Sequence, residues 1–442
     1  MKRSLQFALL LLAVSTCIFS RAVALQEVSF QEAYDLAKDF APDVAIAQYD
    51  LERASANSSI AMSRILPQVG MFGQWSSNNL DYEQGAIFPD QNYPGKRYGI
   101  QVTQALLRTS DGLEASRSKS LEELSAEQLK IAENELLTDL IEAFLGVLLA
   151  QSQKFAAASE VAAVVQREAE ASALYEKQLL PVTQLLETKS RLHTVEADEI
   201  SANASMEIAR ERLSLFTGQQ ITPRNTLSSF SLFSTISTAD DAATLAVNYS
   251  DRVSAAEKSL RAAELAVLRE RATWLPNVDL SLSYQHSDIG FDNLSAPARD
   301  TSIVSIGFNY PLFDGGARFA KIKKAKAELG GARVKLDAEI RESSARARAG
   351  WLNLKGLEQR LVSTKSALVA AQANVDATNE AVRAGVATFS DSLMTLAQRR
   401  AAETTYNEAK FMYVMGWVEL QLSVGTDPET IVPKLSKILH GE

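Results

Sequence analysis

Asn277-Val278-Asp279-Leu280-Ser281-Leu282-Ser283-Tyr284-Gln285-His286 alternates throughout: Val278, Leu280, Leu282 and Tyr284 fall on one side, and Asn277, Asp279, Ser281, Ser283 and Gln285 on the other. A period of two over this length is a β-strand with one apolar and one polar face. Tyr98 to Thr103 and Val304 to Tyr310 behave the same way, the latter placing Val304, Ile306 and Phe308 on its apolar side. Gln68 to Trp75 is weaker, diluted by Gly70 and Gly73. The strands are expected near 68–76, 96–105, 277–286 and 302–311. Such strands mark either an antiparallel sheet packed on a helix, the commoner case, or a membrane β-barrel with apolar residues facing lipid. Trp75, Tyr98, Tyr284 and Tyr310 read as aromatics at strand ends, where interfacial girdles lie.

The start of the chain favours the membrane reading. Lys2 and Arg3 precede an apolar run, Leu5 to Ala13, and Ala22-Val23-Ala24 supplies the small residues of a signal-peptidase site. Residues 1–24 are therefore expected to leave, with Leu25 as the new N-terminus. Processing at Cys17 is the rival, but Thr16 before it fits poorly. Cys17 is the only cysteine, so the mature chain has no disulfide, Cys-bound metal or Cys nucleophile. The net charge is -9. Three of the 45 basic residues sit in the leader, and 54 acids against the remaining 42 leave the mature chain at -12. That excess argues against nucleic acid as a partner.

The rest of the chain is one unit written twice. Pro42-Asp43-Val44-Ala45-Ile46-Ala47 precedes Asp251-Arg252-Val253-Ser254-Ala255-Ala256 by 209 residues, and the same offset carries Leu66-Pro67 onto Leu275-Pro276. Gln104-Ala105-Leu106-Leu107 corresponds to Tyr310-Pro311-Leu312-Phe313, and Leu185-Leu186 to Leu393-Met394. The expected organisation is a first repeat over 25–217, a linker over 218–240, a second repeat over 241–427 and a tail over 428–442. Each repeat reads helix, strand, loop, strand, long helix, long helix. Ser29-Phe30-Gln31-Glu32 is a capping-box pattern opening a short helix. Gly112 to about Tyr175 has no proline, and its apolar residues recur three or four apart. At ~1.5 Å per residue it spans roughly 95 Å, too long for one globular domain. Long helices are expected across 112–216 and 314–424, with turns between, closed by Gly218 and Gly425.

Four strands cannot close a barrel, and an open edge in lipid leaves backbone groups unpaired at several kcal/mol each. Copies must therefore share one barrel; the strand count alone does not choose between two and three. The order of elements, the junctions Leu66-Pro67-Gln68-Val69 and Leu275-Pro276-Asn277-Val278, the run Pro311-Leu312-Phe313-Asp314-Gly315-Gly316 and the far-end run Ala384-Gly385-Val386-Ala387-Thr388 with Leu393 resemble the TolC family of outer-membrane factors. The resemblance covers essentially the whole mature chain. It implies an α+β membrane protein, trimeric, with a twelve-stranded β-barrel continuous with a helical barrel. It further implies a passive exit duct through the periplasm from the outer membrane of a Gram-negative bacterium, for efflux or type I secretion. The implied partners are further copies of itself, a periplasmic adaptor, an inner-membrane pump and outer-membrane lipid.

By the same resemblance, the hairpin turns Lys177, Gln178, Leu179, Leu180, Pro181, Val182 and Gly385, Val386, Ala387, Thr388, Phe389, Ser390 dock the adaptor. Gly385 matches the family's turn glycine, its first-repeat counterpart is Lys177, and the first tip is expected to turn through Leu180-Pro181. Asp391 falls where the family places an acidic ring, and Met394 stands where its second acid would be. Asp391 equally reads as a helix cap. Lys321, Lys323, Lys324 and Lys326 either meet headgroups or form a solvated face. Catalysis finds little support and no cofactor is expected: His193, His286 and His440 have no second ligand at metal spacing, and Asp314-Gly315-Gly316 lacks a following Lys-Ser/Thr. The alternative is a secreted periplasmic structural or adaptor protein built on long helical hairpins.

Overall fold

A computed structural model describes residues 26–81, 91–224, 236–288 and 297–440; the expected leader lies outside them. Two successive sets of elements follow one order, except that the second ends with an additional helix. The first comprises β1 (Gln26–Val28), α1 (Phe30–Phe40), α2 (Pro42–Ser63), β2 (Gln68–Leu80), β3 (Gln91–Leu107), α3 (Thr109–Glu176) and α4 (Val182–Thr217). The second comprises β4 (Ile221–Pro223), α5 (Ala239–Tyr249), α6 (Asp251–Ala272), β5 (Asn277–Ser287), β6 (Arg299–Asn309), α7 (Ala317–Arg383), α8 (Phe389–Ser423) and α9 (Pro428–His440). The chain divides into one unit of residues 1–45, 132–246 and 345–442 and another of 46–131 and 247–344.

In the first unit, helix α1 starts as its sequence dictates. The Ser29 hydroxyl accepts from the Glu32 N–H at 3.2 Å, and the Glu32 carboxylate accepts from the Ser29 N–H at 2.7 Å. Phe30, Ala33, Tyr34 and Ala37 form its buried face, with Phe30 edge-on to Phe144 of α3 at 5.2 Å. Helix α1 contacts α4 and α9, and α9 also packs on α8. Two features were not expected. The tail forms a helix: Ile431, Val432, Leu435 and Leu439 give α9 a buried face. The linker carries β4, which pairs in parallel with β1. A three-residue strand has too short a pattern to be read from sequence. Residues 225–235 lie outside the described residues.

The second unit holds a four-stranded antiparallel sheet in the order β2-β3-β5-β6. The sheet thus joins the two sets through β3 of the first and β5 of the second. Two strands are longer than expected, with 13 residues in β2 and 17 in β3. Gly99 of β3 lies against the backbone of β5, and a Cβ there would collide with the Tyr284 carbonyl oxygen. Among the described residues no helix is long and apolar enough to cross a membrane.

Candidate functional site

The registry of the sheet sorts its side chains into two faces. Val278, Leu280 and Leu282 of β5 stand directly opposite Phe308, Ile306 and Val304 of β6. Val102 of β3 opposes Leu282 on one side and Val69 of β2 on the other, and Ile100 opposes Met71. One face therefore carries apolar residues from all four strands, and much of it is uncovered: Met71 is 85%, Val304 73%, Phe308 69% and Ile306 68% exposed. The other face is polar and internally bonded. Arg97 donates to the Gln285 side-chain oxygen at 2.8 Å, Gln101 donates to Ser281 at 3.3 Å, and Arg108 makes a two-pronged bond to Asp279 at 2.8 and 2.9 Å. Exposed apolar side chains beside a satisfied polar face invert the usual solution for a sheet in water.

The aromatics sit differently from expectation. Trp75 and Tyr98 lie inside β2 and β3, because those strands run on past them. Tyr98 stacks on His286 at 4.9 Å, and Tyr284 is its diagonal neighbour through Ile100. Tyr310 follows the other end of β6. Tyr284 pairs with Ser302, eight residues before Tyr310, or roughly 27 Å along a strand. That stretch compares with the 9–11 residues a tilted strand uses to cross hydrocarbon.

The hairpin turns lie in the other unit. Helix α3 ends at Glu176, and Gln178, not Lys177, takes the left-handed position with φ 58°. The Leu179 N–H then reaches back to the Leu174 carbonyl at 2.9 Å. The second turn repeats this with Gly385 at φ 75° and Val386 bonded to Ala381 at 2.9 Å. Gln178 is thus the counterpart of Gly385. The first tip reverses there rather than through Leu180-Pro181, and Pro181 instead N-caps α4. A left-handed non-glycine costs about 1–2 kcal/mol, so the pattern gives no warning of it.

Of the expected docking residues, Val386 at 80%, Leu179 at 70% and Val182 at 47% are exposed. Phe389 is buried with Ala171 and Leu185, with Leu180 packed against them, so its side chain belongs to the hairpin core. Lys177, Gln178, Pro181, Gly385 and Thr388 are exposed, Ala387 is half-buried, and half-buried Ser390 donates to Glu187 at 2.8 Å. Asp391 closes a capping box on α8. Its carboxylate accepts from the Thr388 N–H at 2.8 Å and hydroxyl at 2.7 Å, while its own N–H donates to that hydroxyl at 3.1 Å. The backbone bond from Thr388, reinforced by the hydroxyl, holds the Asp391 carboxyl below its ordinary pKa. Its stabilising contribution is present above the ordinary carboxylate range and is lost as pH falls through the depressed value. Met394, one turn on, is 57% exposed, and Leu393 between them is buried with Val164 and Val195.

Sequence reasoning missed an ionic cluster that ties three helices together. Glu160 of α3, only 2% exposed, accepts from Arg191 of α4 and Arg400 of α8, each at 2.6 Å, and Arg400 also reaches Asp198 at 3.1 Å. Its members are spread over 240 residues, and no local pattern links them.

A duplicated chain that joins a one-faced apolar sheet to paired helical hairpins is built like an outer-membrane channel subunit. Residues 244–426 match the family described as "Outer membrane efflux protein". The chain is 23% identical over 402 residues to the alkaline protease secretion protein AprF of Pseudomonas aeruginosa, covering 89% of this chain and 84% of that one. It is 24% identical to the outer membrane protein TolC of Vibrio cholerae, covering 95% of each. Its fold matches the Campylobacter jejuni CmeC outer membrane channel with a TM-score of 0.77 at 15% identity, over 93% of this chain and 89% of that one. The chain thus resembles the TolC-like outer-membrane efflux proteins, in sequence over most of its length and in fold.

Proposed function

We propose that three copies of this chain close one twelve-stranded barrel in the outer membrane of a Gram-negative bacterium, continuous with a helical barrel in the periplasm. The assembly is a passive exit duct for efflux or type I secretion, fed by an inner-membrane pump through a periplasmic adaptor. The observation that carries this is the sheet: apolar and largely uncovered on one face, with β2 and β6 left as open edges. In lipid an open edge is forbidden, so β6 of one copy pairs with β2 of the next. Three copies leave a lumen, whereas the interior of an eight-stranded barrel is filled by side chains. AprF is named a secretion protein and CmeC an outer membrane channel, and the proposal gives this chain the same kind of work. The exposed Leu179, Val182 and Val386 at the two turns form the adaptor contact.

The mature chain is expected to be cysteine-free, which makes the edge pairing testable. Cysteines placed on the polar face at Ser305 of β6 and scanned along Gly70 and Gln74 of β2 should give disulfide-linked dimers and trimers in isolated outer membranes. A ladder that stops at dimer, or a protein recovered only in the soluble periplasmic fraction, contradicts the trimeric barrel.

At the second hairpin turn, half-buried Asp391 and exposed Met394 lie one turn apart on α8, and in the proposed trimer three copies of Asp391 ring the constriction. In planar bilayers Asp391→Asn should lower cation selectivity and weaken block by multivalent cations. Glu380→Gln on α7, whose carboxylate pairs with the exposed Arg383, should leave both unchanged. If Asp391→Asn reduces thermal stability while selectivity and block stay at wild-type values, the residue is a helix cap alone.

A further inference from the structure

The apolar face of the sheet does not end with β6. The turn that follows exposes Leu312 at 85% and Phe313 at 84%, and the first turn of α7 exposes Phe319 at 67%. A buried cation fixes this turn. Arg318 is 6% exposed; its guanidinium donates to the Pro311 carbonyl at 2.6 Å and to Asp314 at 3.2 Å, and lies 4.4 Å over the Trp274 ring. Trp274 in turn meets Phe319 edge-on at 5.0 Å. Arg318 is thus consumed within the turn, and its bonds to Pro311 and Asp314 bracket Leu312 and Phe313.

Directly beyond it, Lys321, Lys323, Lys324 and Lys326 are all exposed. Among the described residues only Lys324 has an acid at ion-pair distance, Glu328 at 3.6 Å. Residues 317–327 hold five bases and no acid, in a chain whose net charge is -9. The equivalent start of α3, residues 111–121, balances Asp111 and Glu114 against Arg117 and Lys119. The basic run is therefore neither a by-product of composition nor of the duplication.

We propose that this collar binds anionic glycerophospholipid of the inner leaflet. Acyl chains lie on Leu312, Phe313 and Phe319, and the headgroup phosphate meets the lysines. The inference rests on the reading that the sheet lies in the outer membrane. The leaflet follows from the chain: the collar adjoins the helical ends of the strands, whereas an outer-leaflet phosphoglycolipid would meet the opposite ends. A polybasic segment next to an apolar anchor is the usual chemistry for anionic headgroups.

Purified full-length protein in detergent, titrated with phosphatidylglycerol or phosphatidylethanolamine and read by native mass spectrometry, tests it. The wild type should retain phosphatidylglycerol preferentially, and the preference should fade as salt rises. In K321Q/K323Q/K324Q/K326Q it should fall about tenfold, while Lys177→Gln at the hairpin tip matches wild type. Equal retention of the two lipids by the wild type, or an unchanged preference in the quadruple variant, overturns the collar. Lipid A displacing phosphatidylglycerol from the wild type overturns it too. Failure of the wild type to insert into vesicles of phosphatidylethanolamine alone, where the lysines have no anionic partner, removes the membrane reading itself.

Discussion

Leu282→Arg should abolish assembly while Ser283→Arg, one residue on, leaves it near wild type. Leu282 is flanked by Val102 and Val304 on the apolar face, and Ser283 by Gln101 and Ile303 on the other. In the proposed barrel a cation at Leu282 lies near mid-bilayer at a cost of about 2–4 kcal/mol, and a trimer would carry it three times over. The same charge at Ser283 points into water beside Gln101 and Ser281. Heat-resistant oligomer recovered from outer membranes is the measurement. Equal yields from the two variants would show that the two faces meet the same solvent, which a membrane barrel forbids.

Glu160→Ala should cost about 3 kcal/mol of stability per chain, because it strands the partly buried Arg191 guanidinium and leaves Arg400 only Asp198. The cost stays at that level, since Arg191 and Arg400 keep 28% and 23% side-chain exposure. Removing all three charges, as Glu160→Met with Arg191→Met and Arg400→Met, should restore much of that loss. The attraction inside such a cluster is largely offset by the desolvation of its members. Thermal unfolding followed by the helical signal compares the two. A triple variant no more stable than Glu160→Ala would mean that the cluster fixes the packing of α3, α4 and α8 in a way apolar side chains do not reproduce.

How much could be read in the sequence depends on the range of each interaction. The two-faced strands are written in successive residues, since alternation at Asn277–His286 is a property of the pleat itself. The long helices and the Ser29–Glu32 cap are local in the same sense: proline-free periodicity and a three-residue reach suffice. The Asp391 cap was legible too, as one of two readings, because the residue stands near the N-terminus of its helix; that Thr388 is its partner came from the structure.

What the sequence left open is non-local or costs too little to leave a mark. That β3 lies beside β5, joining the repeats within one sheet, is a pairing between residues some 180 positions apart; any pair of these strands alternates well enough to match. Gln178 takes the left-handed turn because the Leu174–Leu179 hydrogen bond and the packing of Leu180 outweigh a cost of about 1–2 kcal/mol. The β1–β4 pair is three residues long, and its partners meet only once the ends of the first repeat are brought together. Glu160 looks like any helix-surface acid among many until α4 and α8 bring Arg191 and Arg400 against it. The chain by itself determined its longer elements, their recurring order and their faces, because these are set by neighbours in sequence. Which strands pair, which charges are buried and where the first hairpin turns were decided only by tertiary packing, because those energies arise between residues the chain holds far apart.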